Sequence, residues 1–165
     1  MKLELKNIKH TAWASEETHC YQASLYVDGE AVAIVSNDGH GGADRCYDHP
    51  KCVFSGRSAW RDKMAEVHES FSVSHSPLHF SYEGADGVMI HGSSPQTLEG
   101  WCCDAVNDWL TARELKRKLK KQFLFLFADK VGVFAHKTRP SHTHKAIILN
   151  DMPFAKALAI WKETA

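Results

Sequence analysis

The chain has 165 residues, of which 44% are hydrophobic and 24% charged, and its net charge is zero. These values are typical of one globular domain and argue against a strongly acidic mimic of nucleic acid. No apolar run is long enough to span a membrane, and the N-terminus lacks a signal-peptide core. Five cysteines, an odd number without a secretory signal, indicate a reducing compartment, so we expect a cytoplasmic protein without disulfides.

The N-terminal part of the chain predicts an antiparallel unit. Alternating polar and apolar residues predict strands from Lys2 to Ile8 and from His19 to Val27. Asp28-Gly29 is the signal for a type I′ turn, and the chain returns from Glu30 to Val35. We therefore expect the third strand to lead directly into the glycine-rich sequence NDGHGG.

The middle of the chain predicts a helix followed by two short strands. Apolar residues recur at helical spacing from Trp60 to Phe71, which indicates an amphipathic helix. Short strands are expected at Leu78–Tyr82 and Val88–His91 on either side of a glycine-containing turn.

A longer helical region follows. Ser94 is expected to cap a helix that has Pro95 in its first turn and a broad apolar stripe from Leu98 to Leu110. Thr111 and Glu114 form a capping-box pattern. The pattern predicts that a second helix begins at Thr111.

The C-terminal part predicts another hairpin and a last helix. Phe123–Phe127 is a continuous apolar run and is expected to be a central strand that pairs with Val131–Ala135. Ala146–Leu149 predicts a short strand, and Asn150 or Asp151 is expected to cap the last helix. The predicted fold is α+β, with an antiparallel sheet formed by the N-terminal and C-terminal hairpins. Three to four helices pack against that sheet, and residues 1–165 form a single domain.

The first candidate site is the glycine loop, which consists of Asn37, Asp38, Gly39, His40, Gly41 and Gly42. Its glycines allow a positive φ or a close backbone approach. Successive backbone N–H groups in such a turn can bind a phosphate or carboxylate. We expect His40 to face outward as a hydrogen-bond donor or general acid–base group. The loop therefore predicts a binding site or, as an alternative, a small hydrolase or nuclease.

The same region contains a candidate zinc site. His40, Cys46, His49 and Cys52 place four nitrogen or sulfur ligands within thirteen residues. Tetrahedral zinc requires four such ligands, although this spacing matches no zinc-finger pattern. A glycine-rich turn with incidental histidines is the simpler interpretation, and it requires no cofactor.

Positive charge is concentrated later in the chain. The segment from Thr111 to Lys145 contains ten Lys or Arg residues. Its only acidic residues are Glu114 and Asp129, so it carries a net charge of +8. Helical spacing directs four of the cations outward: Arg113, Lys116, Arg117 and Lys120. Such a basic face indicates nucleic acid or another acidic partner, whereas a solvated helix face is the simpler alternative.

A third function is suggested by four His-x-Ser/Thr triplets: His68–Ser70, His79–Ser81, His91–Ser93 and His136–Thr138. Two such motifs on paired strands are the signature of 2H phosphoesterases, whose histidines act as acid and base on a phosphodiester. His142 and His144 would share one face of an extended segment and form a further candidate metal pair.

Five stretches of the chain resemble a family of small proteins encoded by bacteriophages and bacterial genomes: Ser15–Thr18, Tyr26–Gly29, Asn37–Gly42, Leu115–Phe125 and Leu149–Phe154. The NDGHGG loop is the most distinctive of them. The resemblance implies a cytoplasmic accessory protein of phage or prophage origin, and it carries over no catalytic residue.

The leading expectation for function is a non-enzymatic binding protein. The chain has no Gly-x-Ser-x-Gly, His-Glu-x-x-His or Cys-x-x-Cys motif. Together with the basic segment and the phage resemblance, this predicts a factor that engages a host protein or nucleoprotein complex, for example as an inhibitor of host defence.

Overall fold

In the computed structural model, the described residues are 1–54, 56–74, 78–83, 89–127, 132–139 and 146–164. Contacts between Cα atoms divide the chain into two compact units, Met1–Val106 and Asn107–Ala165. Each unit is described by itself below. The predicted single domain over residues 1–165 stays a prediction.

The first unit contains a four-stranded antiparallel sheet with strands in chain order. Its strands are β1 (Leu3–His10), β2 (Tyr21–Val27), β3 (Glu30–Asn37) and β4 (Arg45–Asp48). The β2–β3 turn has φ values of 49° at Asp28 and 93° at Gly29. Two consecutive positive φ values define a type I′ turn, so the predicted hairpin is confirmed.

One face of this sheet belongs to the core. Alternate residues of β2, namely Tyr21, Ala23, Leu25 and Val27, are all buried. The helix α1 (Arg57–Ser74) contributes buried side chains at Met64, Val67 and Phe71, which follow the predicted apolar stripe. The indole of Trp60 donates a 3.1 Å hydrogen bond to the carbonyl of Val32 and links α1 to β3.

Two further strands, β5 (Leu78–Glu83) and β6 (Met89–Ser94), pair as an antiparallel hairpin. Both predicted strands are therefore confirmed. The predicted turn between them lies outside the described residues.

The helix α2 (Leu98–Lys121) is continuous, so the expectation of a second helix beginning at Thr111 is wrong. Thr111 Oγ1 donates a 2.9 Å hydrogen bond to the carbonyl of Asn107, four residues earlier, and does not act as a cap. The helix also begins later than expected because β6 continues through Ser94. Thr97 Oγ1 accepts the N–H of Gly100 at 3.0 Å, so Thr97 provides the N-terminal cap.

The second unit contains a three-stranded antiparallel sheet in the order β8-β7-β9. Its strands are β7 (Phe123–Phe127), β8 (Phe134–His136) and β9 (Ala146–Ile148), and they are followed by the helix α3 (Phe154–Thr164). The central position of β7 confirms the prediction for that apolar run. Leu115, Leu124, Leu149, Ala157 and Trp161 form the buried cluster of this unit.

Asn150 does not cap α3, contrary to expectation. Its amide nitrogen donates to the carbonyls of Leu119 at 3.0 Å and Gln122 at 3.1 Å, and its oxygen accepts the N–H of Leu124 at 2.8 Å. These carbonyls lie at the C-terminal end of α2, where helix carbonyls lack partners within the helix. Asn150 therefore joins the end of α2 to the start of β7.

The α+β class is confirmed, although the N-terminal and C-terminal hairpins belong to separate sheets. In the described part of the chain, no helix is both long and apolar enough to cross a membrane.

Candidate functional site

The glycine loop is held by the side chain of Asn37 at the end of β3. This side chain is buried and makes four hydrogen bonds. Its oxygen accepts Thr18 Oγ1 at 2.8 Å and the N–H of Gly39 at 2.9 Å. Its nitrogen donates to the carbonyl of Gly42 at 2.8 Å and to Asp44 Oδ1 at 3.0 Å. Both hydrogens and both lone pairs of the amide are thus used inside the protein.

Gly39 packs against the segment between β1 and β2. Its carbonyl accepts three consecutive N–H groups, from Glu16 at 3.0 Å, Glu17 at 2.9 Å and Thr18 at 3.3 Å. Its φ is +90°, and a Cβ atom at this position would lie 1.9 Å from the carbonyl oxygen of Ala14. The close backbone approach expected of these glycines is made to the protein's own chain.

Some of the backbone N–H groups that were predicted to bind an anion already donate hydrogen bonds inside the protein. Two of the four N–H groups between Gly39 and Gly42 already donate within the region. Gly39 donates to Asn37, and Gly41 donates to Thr18 Oγ1 at 3.4 Å. Anion binding by the loop stays a prediction, and fewer free donors are available for it than the sequence suggests.

His40 faces outward, as expected, with 57% of its side chain exposed. Its Nδ1 lies 3.2 Å from Glu16 Oε2, and the neighbouring Asp38 forms a 2.8 Å ion pair with Arg45. A carboxylate beside an imidazole is the arrangement that orients a general base. The hydrolase or nuclease alternative built on His40 stays a prediction, which activity assays of His40→Ala test.

The four predicted zinc ligands are not brought together. Cys46 pairs with Val35 in the β3–β4 ladder, on the face that carries the core side chains of β2. The ring of His49 lies 6.3 Å from that of Tyr26, on the opposite face. Among the described residues, which include all four predicted ligands, no three His, Cys, Asp or Glu side chains are grouped to hold a metal. Zinc binding stays a prediction, which elemental analysis of untagged protein tests directly.

Asp44, just past the loop, joins the glycine loop to β2 and α2. Its Oδ2 accepts the phenol of Tyr21, and its N–H donates to Glu99 Oε1 at 2.7 Å. Burial raises the pKa of Asp44, and the charge of Glu99 adds to this, while the hydrogen bonds from Tyr21 and Asn37 oppose it. Burial and the bond to Asp44 also raise the pKa of Tyr21.

Two thiols line a cavity of about 190 Å³ beside Asp44, which they share with His68 and Glu99. Burial raises the pKa of Cys46 to about 11, and the charges of Asp44 and Glu99 act in the same direction. Burial likewise raises the pKa of Cys102, which is fully buried. Because the thiolate is the nucleophile and metal ligand, the raised pKa values disfavour both roles for these two groups.

The basic face lies in the second unit, on the C-terminal half of α2. Arg113, Lys116, Arg117 and Lys120 follow one another at i, i+3, i+4 and i+7 and are all exposed. We call these four residues the basic stripe.

Two cations of the stripe lie over aromatic rings, and the other two have no salt-bridge partner among the described residues. Arg113 lies 5.2 Å from the ring centre of Trp109, and Lys116 lies 4.9 Å from that of Phe154. Arg117 and Lys120 form no salt bridge with any described residue.

Charge is divided between the two units. The residues from 107 to 165 include twelve Lys or Arg and five Asp or Glu, a net charge of +7. Those from 1 to 106 include eight Lys or Arg and fifteen Asp or Glu, a net charge of −7. The net charge of zero is therefore the sum of an acidic unit and a basic unit.

Two of the four His-x-Ser/Thr motifs are brought together by the β5–β6 hairpin. In its register, His79 is opposite Ser93 and Ser81 is opposite His91. Since cross-strand partners and alternate residues share a face of a sheet, these four positions lie on one face of the hairpin.

The other motifs have a local structural role or lie outside the described residues. In His68–Ser70, the serine hydroxyl donates to the carbonyl of Val67 in α1. In His136–Thr138, the imidazole Nδ1 is 2.9 Å from the threonine hydroxyl in a short turn. His142 and His144 lie outside the described residues.

Sequence reasoning passed over Trp13, which is 89% exposed. It lies in the 3-10 turn Ala12–Ala14, between β1 and β2. The sequence indicates this residue only as an aromatic side chain in a segment between two strands that has no helical or strand periodicity. Asp44 was also passed over, because its partners Tyr21 and Glu99 are distant in the sequence.

No protein-family model, curated protein or solved structure matches this chain. The resemblance to a phage-encoded family therefore stays a prediction.

Proposed function

We propose that this protein binds a nucleoprotein complex of a host cell and contacts nucleic-acid phosphates through the basic stripe. The observation that carries the proposal is the geometry of Arg117 and Lys120, which are exposed and have no salt-bridge partner among the described residues. Exposed cations without internal partners remain free to displace counterions from a phosphate backbone.

The flanking members of the stripe support this role. At 1.5 Å per residue, the four side chains extend over about 10 Å of helix. Arg113 and Lys116 each lie over an aromatic ring, at 5.2 and 4.9 Å. Such contacts restrict the side chains and lower the entropy lost when a phosphate is bound. The net charge of +7 on this unit favours a polyanion at its surface.

The experiment measures the affinity for labelled double-stranded DNA and RNA against salt concentration. For Arg117→Glu with Lys120→Glu, we expect at least a tenfold loss at 100 mM salt and a salt slope shallower by about two. The matched control is Lys51→Glu with Arg57→Glu, which makes the same charge change in the first unit. Equal losses in the two double variants, or binding that ignores salt, would overturn the proposal.

An acidic host protein is the other outcome of this test. If the chain binds no nucleic acid, affinity capture from a bacterial lysate with the wild type and the Arg117→Glu, Lys120→Glu variant shows whether a protein depends on the stripe. Its capture only by the wild type would assign the basic stripe to a protein partner.

A second candidate function, a 2H-type phosphoesterase, is favoured by the register of β5 and β6. That register places His79 and His91 diagonally on one face of the hairpin, each opposite the serine of the other motif. Two histidines so placed suit the acid and base of phosphodiester cleavage.

The test is hydrolysis of bis-p-nitrophenyl phosphate by purified protein. We expect His79→Ala and His91→Ala each to lower the rate at least a hundredfold, since acid–base groups contribute about 10²–10⁴. His136→Ala, in a motif without a paired strand partner of the same kind, is the matched control and should retain activity. Undetectable turnover by the wild type would remove this candidate.

A further inference from the structure

The two faces of the four-stranded sheet have different surroundings. On the inner face, Val35 and Cys46 line the cavity of about 190 Å³ together with His68 of α1, so this helix packs on that face. We call the opposite face the outer sheet face, and its main residues are Lys6, Lys9, Tyr26, Ile34, Arg45 and Tyr47. Of these six, Tyr26 and Ile34 are half-buried and the rest are exposed. An antiparallel sheet with one face on the core and the other in solvent presents the second face to a ligand.

The strand register fixes which side chains are neighbours on the outer sheet face. One row of cross-strand partners runs across all four strands and consists of Lys6, Ser24, Ile34 and Tyr47. Cross-strand partners lie side by side on one face of a sheet. With about 4.8 Å between neighbouring strands, the row is about 14 Å long. Because these positions belong to paired strands, a ligand would meet a surface that is already ordered.

Aromatic rings are grouped on this face. Tyr47, in β4, is 54% exposed. The ring of Tyr26, in β2, lies 6.3 Å from that of His49, which follows β4. Lys6 Nζ lies 4.2 Å from the centre of the Tyr26 ring. The outer sheet face therefore combines exposed aromatic surface with an ammonium group beside it.

The charge of this face is opposite to that of the unit. In β1–β4, the register places Lys6, Lys9 and Arg45 on the outer sheet face, with Glu4 as the one carboxylate there. Lys9 forms no salt bridge with any described residue. Lys6 pairs with Glu4 at 3.3 Å, and Arg45 pairs with Asp38 at 2.8 Å. Exposed pairs of this kind contribute little to stability, so a phosphate can replace the carboxylate at small cost. The face is a basic area in a unit whose net charge is −7.

Single-stranded nucleic acid fits this combination of rings and cations. Proteins that bind single strands stack bases on aromatic side chains and contact the backbone with positive charge. Lysine is depleted in protein–protein interfaces, which disfavours a protein as the occupant. We propose that the outer sheet face binds single-stranded DNA or RNA, with a base stacked on Tyr47 and backbone phosphates in contact with Lys6 and Lys9. The proposal is independent of the basic stripe, which belongs to the other unit.

The test measures fluorescence anisotropy of labelled oligothymidylate and oligouridylate of about twelve nucleotides. The protein is the full chain with Arg117→Glu and Lys120→Glu, so that the basic stripe does not contribute. We expect binding to both strands, and the tighter of the two identifies DNA or RNA as the ligand. Tyr47→Ala should weaken binding about tenfold through the loss of one base stack, whereas Tyr47→Phe should retain the affinity. Lys6→Gln with Lys9→Gln should make the salt slope shallower by about 1.4.

Two matched controls should leave the affinity unchanged. Trp13→Ala removes an exposed ring from the turn between β1 and β2, and Arg57→Gln with Arg61→Gln removes the same charge from exposed positions of α1. Equal losses in a test variant and its control would overturn the proposal, as would a duplex of the same length that binds as tightly as the single strand.

Two further outcomes would also overturn it. Binding by the wild type but not by the variant that lacks the basic stripe would assign all nucleic-acid binding to the stripe, which leaves the proposed function intact. If neither strand is bound, and a bacterial protein is captured by the wild type but not by Tyr47→Ala, the outer sheet face belongs to a protein partner.

Discussion

In the glycine loop, the Asn37 amide makes four hydrogen bonds and the Gly39 carbonyl accepts three more. On the basic stripe, by contrast, Arg117 and Lys120 form no salt bridge with any described residue. Both regions are polar and both stand out in the sequence. The Asn37 amide and the Gly39 carbonyl are used to hold the fold, whereas Arg117 and Lys120 have no salt-bridge partner among the described residues.

This difference shows that polarity alone is a poor guide to a binding site. A side chain whose donors and acceptors are all used inside the protein has none left for a ligand, and removing it leaves buried groups unpaired. Substitutions should therefore affect stability at the loop and binding at the stripe.

The largest effect on stability is expected for Gly39→Ala. The new Cβ would lie 1.9 Å from the carbonyl oxygen of Ala14, and the residue would keep a φ of +90°. Backbone strain and this clash should lower the free energy of unfolding by about 3 kcal/mol, measured by urea denaturation. Gly42→Ala is the matched control, since nothing lies within 4 Å of its Cβ position, and should lose less than about 1 kcal/mol. Equal losses would mean that the loop does not pack as described.

Asn37→Ala is expected to lower the free energy of unfolding by about 2 kcal/mol, because it removes one hydrogen-bond partner each from Thr18, Gly39, Gly42 and Asp44. Gln22→Ala, at an exposed position of β2, should change it by no more than about 0.5 kcal/mol. If Asn37→Ala were as stable as the wild type, the polar groups of the loop would not hold the fold as described.

A smaller effect is expected in the pH dependence of stability. Because the pKa of Asp44 is raised above its ordinary 3.8, the folded state binds the proton more tightly than the unfolded state. The contribution of Asp44 is fully present below pH 3.8 and is lost as the pH rises through the raised folded-state value. Urea denaturation across this range should show a shallower decline with pH for Asp44→Asn than for the wild type. Identical pH profiles for the two proteins would contradict a raised pKa of Asp44.

The smallest effect on stability is expected at the stripe. Arg117→Gln with Lys120→Gln should change the free energy of unfolding by no more than about 0.5 kcal/mol, since neither side chain is paired with a described residue. Thermal unfolding at low and high salt measures this. A large loss would mean that these cations hold the fold and are not free for a partner.

Much of the fold could be predicted from local patterns. The alternation along β2, the Asp28-Gly29 turn and the apolar run of β7 all appear in the structure as expected. The errors occurred where a short motif has two uses. Thr111 bonds back to Asn107 and does not cap a helix, and Asn150 closes the end of α2 in place of starting α3.

The candidate site was less predictable. The outward position of His40 followed from its place between turn-forming residues, and the structure has it there. The separation of Cys46 from His49 did not follow from their spacing, because strand pairing places them on opposite faces of the sheet. Trp13 was passed over because the sequence does not tell an exposed indole from a buried one.

By itself, the sequence determined most of the strands, though not β4, together with the type I′ turn, the helical stripes and the division of charge, since each depends on residues a few positions apart or on composition. Only the tertiary structure decided which polar groups are already paired. Thr18 and Asn37 are 19 positions apart, and Asp44 and Glu99 are 55 apart. Hydrogen bonds over such separations depend on how the chain is packed, and that packing leaves Trp13, Arg117 and Lys120 exposed.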